Sequence, residues 1–76
     1  MKADEMIDLC KRHTVFSWSA QANVAPLAIE RGEGIYFWDP DGKRYIDFNC
    51  QLMCTNLGHS HPKLVRAIQA QAEKLF

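Results

Sequence analysis

The chain has 76 residues, 47% of them hydrophobic, and its nine basic and nine acidic side chains cancel to a formal charge of zero. That balance argues against an electrostatic nucleic-acid binder, and the apolar content excludes a charge-solvated disordered chain. No apolar run approaches the roughly 20 residues a membrane helix needs, and a chain this short buries only about 60% of its extended surface.

Residues 1–8 carry Asp4, Glu5 and Asp8 and no apolar stretch, so no secretory signal is expected. Residues 3–12 have the spacing of a short helix. Asp4 is the expected cap, Met6, Leu9, Cys10 and His13 share a face, and Lys11 and Arg12 suit the negative end of the dipole. The three cysteines, Cys10, Cys50 and Cys54, are an odd number, which fits reduced thiols in a cytoplasmic protein better than a disulfide framework.

Residues 14–29 mix Val15, Phe16 and Trp18 with Thr14, Ser17 and Ser19, and Pro26 interrupts any helix. An extended, irregular arm is expected. Its aromatics either fill the chain's own core or pack on something outside it.

Residues 34–48 read as a β-hairpin. Gly34–Asp39 and Arg44–Phe48 are the strands, and Pro40-Asp41-Gly42-Lys43 is the turn, with Gly42 supplying a positive φ. Tyr45 should face one side, with Arg44 and Ile46 on the other. A lone hairpin is marginal in water, so it needs more sheet or a helix to pack on. Residues 49–61 form a loop. Residues 62–75 form an amphipathic helix that starts at Pro62, capped by Ser60 or His61, with Leu64, Val65, Ile68, Ala72 and Leu75 on one stripe.

Cys50, Cys54, His59 and His61 lie within twelve residues and raise a zinc reading. Their spacing is poor: a single residue separates the histidines and Pro62 follows at once, so loop and cap roles suit them better. A zinc-stabilised or partner-binding small module without enzymatic activity remains the alternative. The Cys54–histidine pair is a weaker case for a nucleophile, since such pairs are assembled in space. Gly32-x-Gly34 lacks the lysine and third glycine of a phosphate loop. Asp39, Asp41 and Asp47 suit turns and strand ends better than a calcium loop.

The string Arg31-Gly32-Glu33-Gly34-Ile35-Tyr36-Phe37-Trp38-Asp39-Pro40-Asp41-Gly42-Lys43-Arg44-Tyr45-Ile46-Asp47-Phe48 is followed by Asn56-Leu57-Gly58-His59-Ser60-His61-Pro62 and then by Ala67-Ile68-x-x-Gln71. Together they resemble the amino-terminal portion of class III (omega) aminotransferases, similar to amine–pyruvate and taurine–pyruvate members, over residues 13–76. The resemblance implies an α+β fragment (helix, extended arm, β-hairpin, helix) from the small domain of a fold type I transferase that depends on pyridoxal phosphate. Residues 1–76 would then be the amino-terminal arm and hairpin–helix unit, with the large cofactor-binding domain absent. The partners implied are the remainder of the chain and a second subunit. The family reaction moves an amino group from an amine or ω-amino acid to a keto acid such as pyruvate.

By the same resemblance, Val15, Phe16 and Trp18 on the arm and Leu52, Met53 and Cys54 after the hairpin would line the substrate pocket. Met53 falls where many amine-accepting members carry a bulky aromatic. Lys2, Lys11, Lys43, Lys63 and Lys74 match no Schiff-base context, so no catalytic residue, cofactor ligand or metal ligand is assigned. The chain alone is expected to be inactive and to bind no cofactor.

Overall fold

A computed structural model describes residues 1–75. Its elements are the helix α1 (Ala3–His13), a single 3-10 turn (Gln21–Asn23), the strands β1 (Arg31–Glu33), β2 (Tyr36–Trp38) and β3 (Arg44–Ile46), a short turn α2 (Cys50–Met53), and the helix α3 (Pro62–Ala72). The three strands form one antiparallel sheet in the order β1-β2-β3.

Helix α1 has Asp4 and Glu5 in its first turn and Lys11, Arg12 and His13 in its last, both favourable to the dipole. Asp4 is not the cap. Lys2 occupies that position and contributes no side-chain bond. Thr14 ends the helix, its N–H and its hydroxyl both donating to the Cys10 carbonyl. The arm that follows is irregular, as expected, apart from the 3-10 turn.

The sheet has one strand more than the sequence pattern suggests. Gly34 and Ile35 are not strand residues; they form the tight connection between β1 and β2, which pair Arg31 with Trp38 and Glu33 with Tyr36. Residues 31–33 are too few and too polar to show an alternation. Phe37 and Tyr45 are cross-strand partners with stacked rings, centroids 5.1 Å apart. On the opposite face the Arg31 guanidinium lies 3.7 Å over Trp38 and that of Arg44 lies 4.5 Å over Tyr36.

The second turn is built by Asp39. Its Oδ1 accepts the N–H groups of Asp41 (3.0 Å) and Lys43 (2.9 Å), and its Oδ2 accepts the Tyr45 hydroxyl at 3.0 Å. Gly42 sits at φ 84°, the conformation expected there. Burial by itself would raise the Asp39 carboxyl, but the Lys43 N–H, the Tyr45 hydroxyl and the Asp41 N–H outweigh it and hold the group below its ordinary value.

Helix α3 begins at Pro62 as expected, and of the two candidate caps it is His61 that serves, its Nδ1 accepting the Lys63 N–H at 3.3 Å. Its apolar stripe faces open space: Leu64 is 45% exposed and Ile68 59%.

Among the described residues, only the strands pack extensively on one another. Among the described residues, Ala28 is the sole buried hydrophobic and no large side chain is fully buried. The accessible surface is 6603 Å², against about 4,700 Å² for a folded monomer of this mass. The radius of gyration is 14.6 Å, against about 11 Å for a compact domain of this length. Apolar surface that the sequence prepares for burial therefore stays uncovered within this chain.

Candidate functional site

The densest polar cluster joins the end of the sheet to the loop that leads into α3. Asp47 follows β3, and its N–H donates to the Ile35 carbonyl at 2.8 Å. Its Oδ1 accepts the N–H groups of Asn49 (3.0 Å) and Cys50 (2.9 Å), while its Oδ2 lies 2.6 Å from His59 Nε2. The two side chains are only 10% and 16% exposed. The His59 hydrogen bond is the largest influence holding the Asp47 carboxyl below its usual value; the Cys50 and Asn49 N–H groups and the His59 charge add to it, and burial opposes them.

His59 is fixed through its backbone as well. Its N–H donates to the Gly34 carbonyl (2.8 Å) and its carbonyl accepts the Gly34 N–H (3.0 Å). The imidazole thereby lies close against β1, so close that a Cβ on Gly32 would stand 2.8 Å from His59 Cβ and Cγ. Glycine at 32 is required by that approach.

The backbone between these anchors takes an uncommon course. Cys50, Gln51, Leu52 and Met53 all have positive φ, between 50° and 66°, so α2 is a left-handed turn. L-residues pay about 1–2 kcal/mol each for that conformation. Asn49 opens the turn, its Oδ1 accepting the Leu52 N–H at 2.7 Å. The Cys54 and Thr55 N–H groups both donate to the Cys50 carbonyl, and the Thr55 hydroxyl donates to Gln51 Oε1 at 2.7 Å. Leu52 and Met53 are thrown outward, 54% and 77% exposed, and Cys54 is exposed beside them. An open groove of about 580 Å³ runs along this cluster, lined by Ile29, Gly32, Phe37, Asp47, Asn49 and His59. A second, of about 420 Å³, includes Gln51, Cys54, Leu57 and Leu64.

The arm presents its own residues separately. Val15 and Trp18 are 82% and 91% exposed, and Trp18 sits at φ 58° on the tip of a tight loop. Gln21 holds that loop shut: Oε1 accepts the Phe16 N–H, and Nε2 donates to the carbonyls of Phe16 and Ser19. Phe16 is half-buried and lines an apolar cavity of about 230 Å³ with Met6, Ile7, Cys10, Leu27 and Ala28. The six residues expected at a pocket thus fall into two groups, Val15, Phe16 and Trp18 on the arm and Leu52, Met53 and Cys54 on the turn; among the described residues the cavity at Phe16 and the groove at Cys54 are separate.

The four residues of the zinc alternative are each engaged elsewhere. His59 is engaged by Asp47, His61 caps α3, and Cys50 and Cys54 direct their thiols to the carbonyls of Asp47 and Leu52. Among the described residues no three His, Cys, Asp or Glu side chains are grouped to hold a metal ion.

The polar cluster occupies the stretch that links the glycine-rich strand motif to Gly58-His59-Ser60-His61-Pro62. The family profile for class III aminotransferases matches residues 17–76. The chain belongs to the class III aminotransferases. Among curated members of this family, it is 50% identical over 50 residues to the mitochondrial ornithine aminotransferase of Drosophila melanogaster, which covers 66% of this chain and 12% of that protein. It is 54% identical over 54 residues to the acetylornithine aminotransferase of Brucella suis biovar 1, covering 71% and 13% respectively. Among solved structures, the taurine:2-oxoglutarate aminotransferase of Bifidobacterium kashiwanohense, in complex with PLP and glutamate, superposes with a TM-score of 0.87 at 40% identity, over 99% of this chain and 17% of that one. An S-selective transaminase from Bacillus megaterium gives 0.80 at 32% identity, over 96% and 16%. This class III aminotransferase segment therefore spans less than a fifth of the relatives it matches, and its α+β backbone is that of the corresponding part of the pyridoxal-phosphate transaminase fold.

The residue string was sufficient to reach the family. The Asp47–His59 pair, the left-handed turn and the Gln21 clamp were not anticipated. Two closely spaced side-chain acceptors, Asp47 and Asn49, were the available signal for the turn, since such residues bond to backbone just ahead of them.

Proposed function

We propose that residues 1–76 act as the amino-terminal segment of a pyridoxal-phosphate-dependent aminotransferase that moves an amino group from an amine or ω-amino acid to a keto acid such as pyruvate. In that enzyme the left-handed turn and the arm shape the substrate pocket, and the uncovered apolar faces meet the rest of the chain and a second subunit. The observation that carries the reading is the superposition of nearly the whole chain on the taurine aminotransferase together with the excess of exposed apolar surface. The odd set of free thiols fits a cytoplasmic setting.

The residues present do not form a cofactor site by themselves. Lys2, Lys11, Lys43, Lys63 and Lys74 are all exposed, and none lines a cavity described above. Asp47, which lines the 580 Å³ groove, is already committed to His59. The Schiff-base amine, the partner of the pyridine nitrogen and the phosphate donors belong to polypeptide outside these residues.

The test compares the 76-residue chain with the complete aminotransferase chain carrying it. Each is titrated with pyridoxal phosphate and assayed with alanine, taurine, ornithine and an aromatic amine against pyruvate and 2-oxoglutarate. The complete chain should show a stoichiometric absorption band that borohydride removes, and should transfer amino groups. Such a band on the 76-residue chain alone, or no transfer by the complete chain, overturns the proposal.

A further inference from the structure

We propose that Asp47 is a positioning residue for the substrate-facing turn, acting with Asn49 and His59 to hold Cys50–Met53 left-handed; this rests on the reading that the turn faces substrate. The turn is unfavourable for four consecutive L-residues, so something must hold it. Asp47 ties the entrance of the turn to the sheet-anchored His59. Its Oδ2 is fixed on His59, which is itself locked to Gly34 by two backbone bonds and pressed on Gly32. Its Oδ1 takes the N–H groups of Asn49 and Cys50 at the point where φ changes sign. Asn49 repeats the device one step on, capturing the Leu52 N–H. The outward direction of Leu52 and Met53 is thus set from the sheet through one carboxylate. In a right-handed or extended course the same residues would leave in other directions, because φ and ψ at 50–53 decide where each Cβ points.

The test uses the complete aminotransferase as holoenzyme. Asp47→Ala removes both restraints, Asn49→Ala removes only the Leu52 capture, and Asp47→Asn keeps an oxygen for the Asn49 and Cys50 N–H groups. The readout is the ratio of kcat/KM for a bulky aromatic amine to that for alanine, because a loss of folded enzyme lowers both equally. Asp47→Ala and Asn49→Ala should each change that ratio by about 10- to 100-fold, the scale of an on-the-order-of 1 Å misplacement, and Asp47→Asn should restore most of it. Hydrogen exchange at the amides of Asn49, Cys50 and Leu52 should quicken in Asp47→Ala and stay slow in Asp47→Asn. Leu52→Ala and Met53→Ala, run alongside, test the underlying reading. If they shift the ratio and neither Asp47→Ala nor Asn49→Ala does, the positioning role is overturned and the site stands. If they leave it unchanged, the turn does not face substrate and both ideas fall. Should Asp47→Ala yield no holoenzyme, Asn49→Ala decides, since it leaves the His59 contact intact.

Discussion

Single atoms decide much in this segment. Gly32 has no room for a methyl group, because His59 Cβ would stand 2.8 Å away. Gly32→Ala should therefore push the imidazole off β1 and loosen its hold on Asp47, costing about 1–3 kcal/mol as an overpacking change; denaturant unfolding of the complete enzyme reads it. Asp47 also carries a pH signature. Its folded carboxyl titrates below the ordinary 3.8. The stabilisation it gives is thus complete above that value and is lost as pH falls through the lower folded one. Acid unfolding should show this dependence in the native protein and a flatter profile in Asp47→Asn. At the hairpin, Tyr45→Phe removes the hydroxyl that Asp39 Oδ2 accepts, an expected loss of about 1 kcal/mol. The Asp8–Arg12 pair of α1, with both side chains about 60% exposed, is a solvated helix pair, and Arg12→Ala should cost under about 0.5 kcal/mol.

Elements follow local rules where the chain supplies its own partners. Pro40 to Lys43 turn because the Asp39 carboxylate accepts the Asp41 and Lys43 N–H groups and Gly42 adopts the positive φ. Helix α3 starts where proline is harmless and a histidine caps it. The left-handed turn is the exception, and it can be probed by side-chain chemistry alone. Glycine has no penalty at positive φ, whereas a β-branched residue has a large one. Gln51→Gly should leave stability unchanged or raise it slightly despite the lost Thr55 contact, while Gln51→Val should lower it by about 1–2 kcal/mol; thermal unfolding of the two variants side by side separates them. The same substitutions within α1 would rank the other way, since glycine weakens a right-handed helix.

At the scale of the molecule the chain is surface without a core. Ala28 is its only buried hydrophobic among the described residues, and Phe48, Leu75 and Met53 stand 91%, 74% and 77% exposed. The 76-residue chain should therefore melt without a sharp cooperative transition and bind a hydrophobic dye strongly; a steep two-state melt with no dye binding would count against the fragment reading. Three antiparallel strands give it local order, while the apolar stripe of α3 stands open, Leu64 and Ile68 being 45% and 59% exposed.

By itself the sequence determined α1, the Asp39 turn, the β2–β3 pairing and α3, because each rests on contacts a few residues apart that propensity and capping express directly. It also carried the family, through motifs spread over most of its length. The tertiary structure decided the rest. Strand β1 exists because β2 is there to pair with it, and its own residues show no period. The partnership of Asp47 with His59 spans twelve positions, and no local pattern announces which histidine will come back to meet a carboxylate. The left-handed course of Cys50–Met53 depends on that meeting, since an unfavourable backbone conformation persists only where distant groups hold it in place.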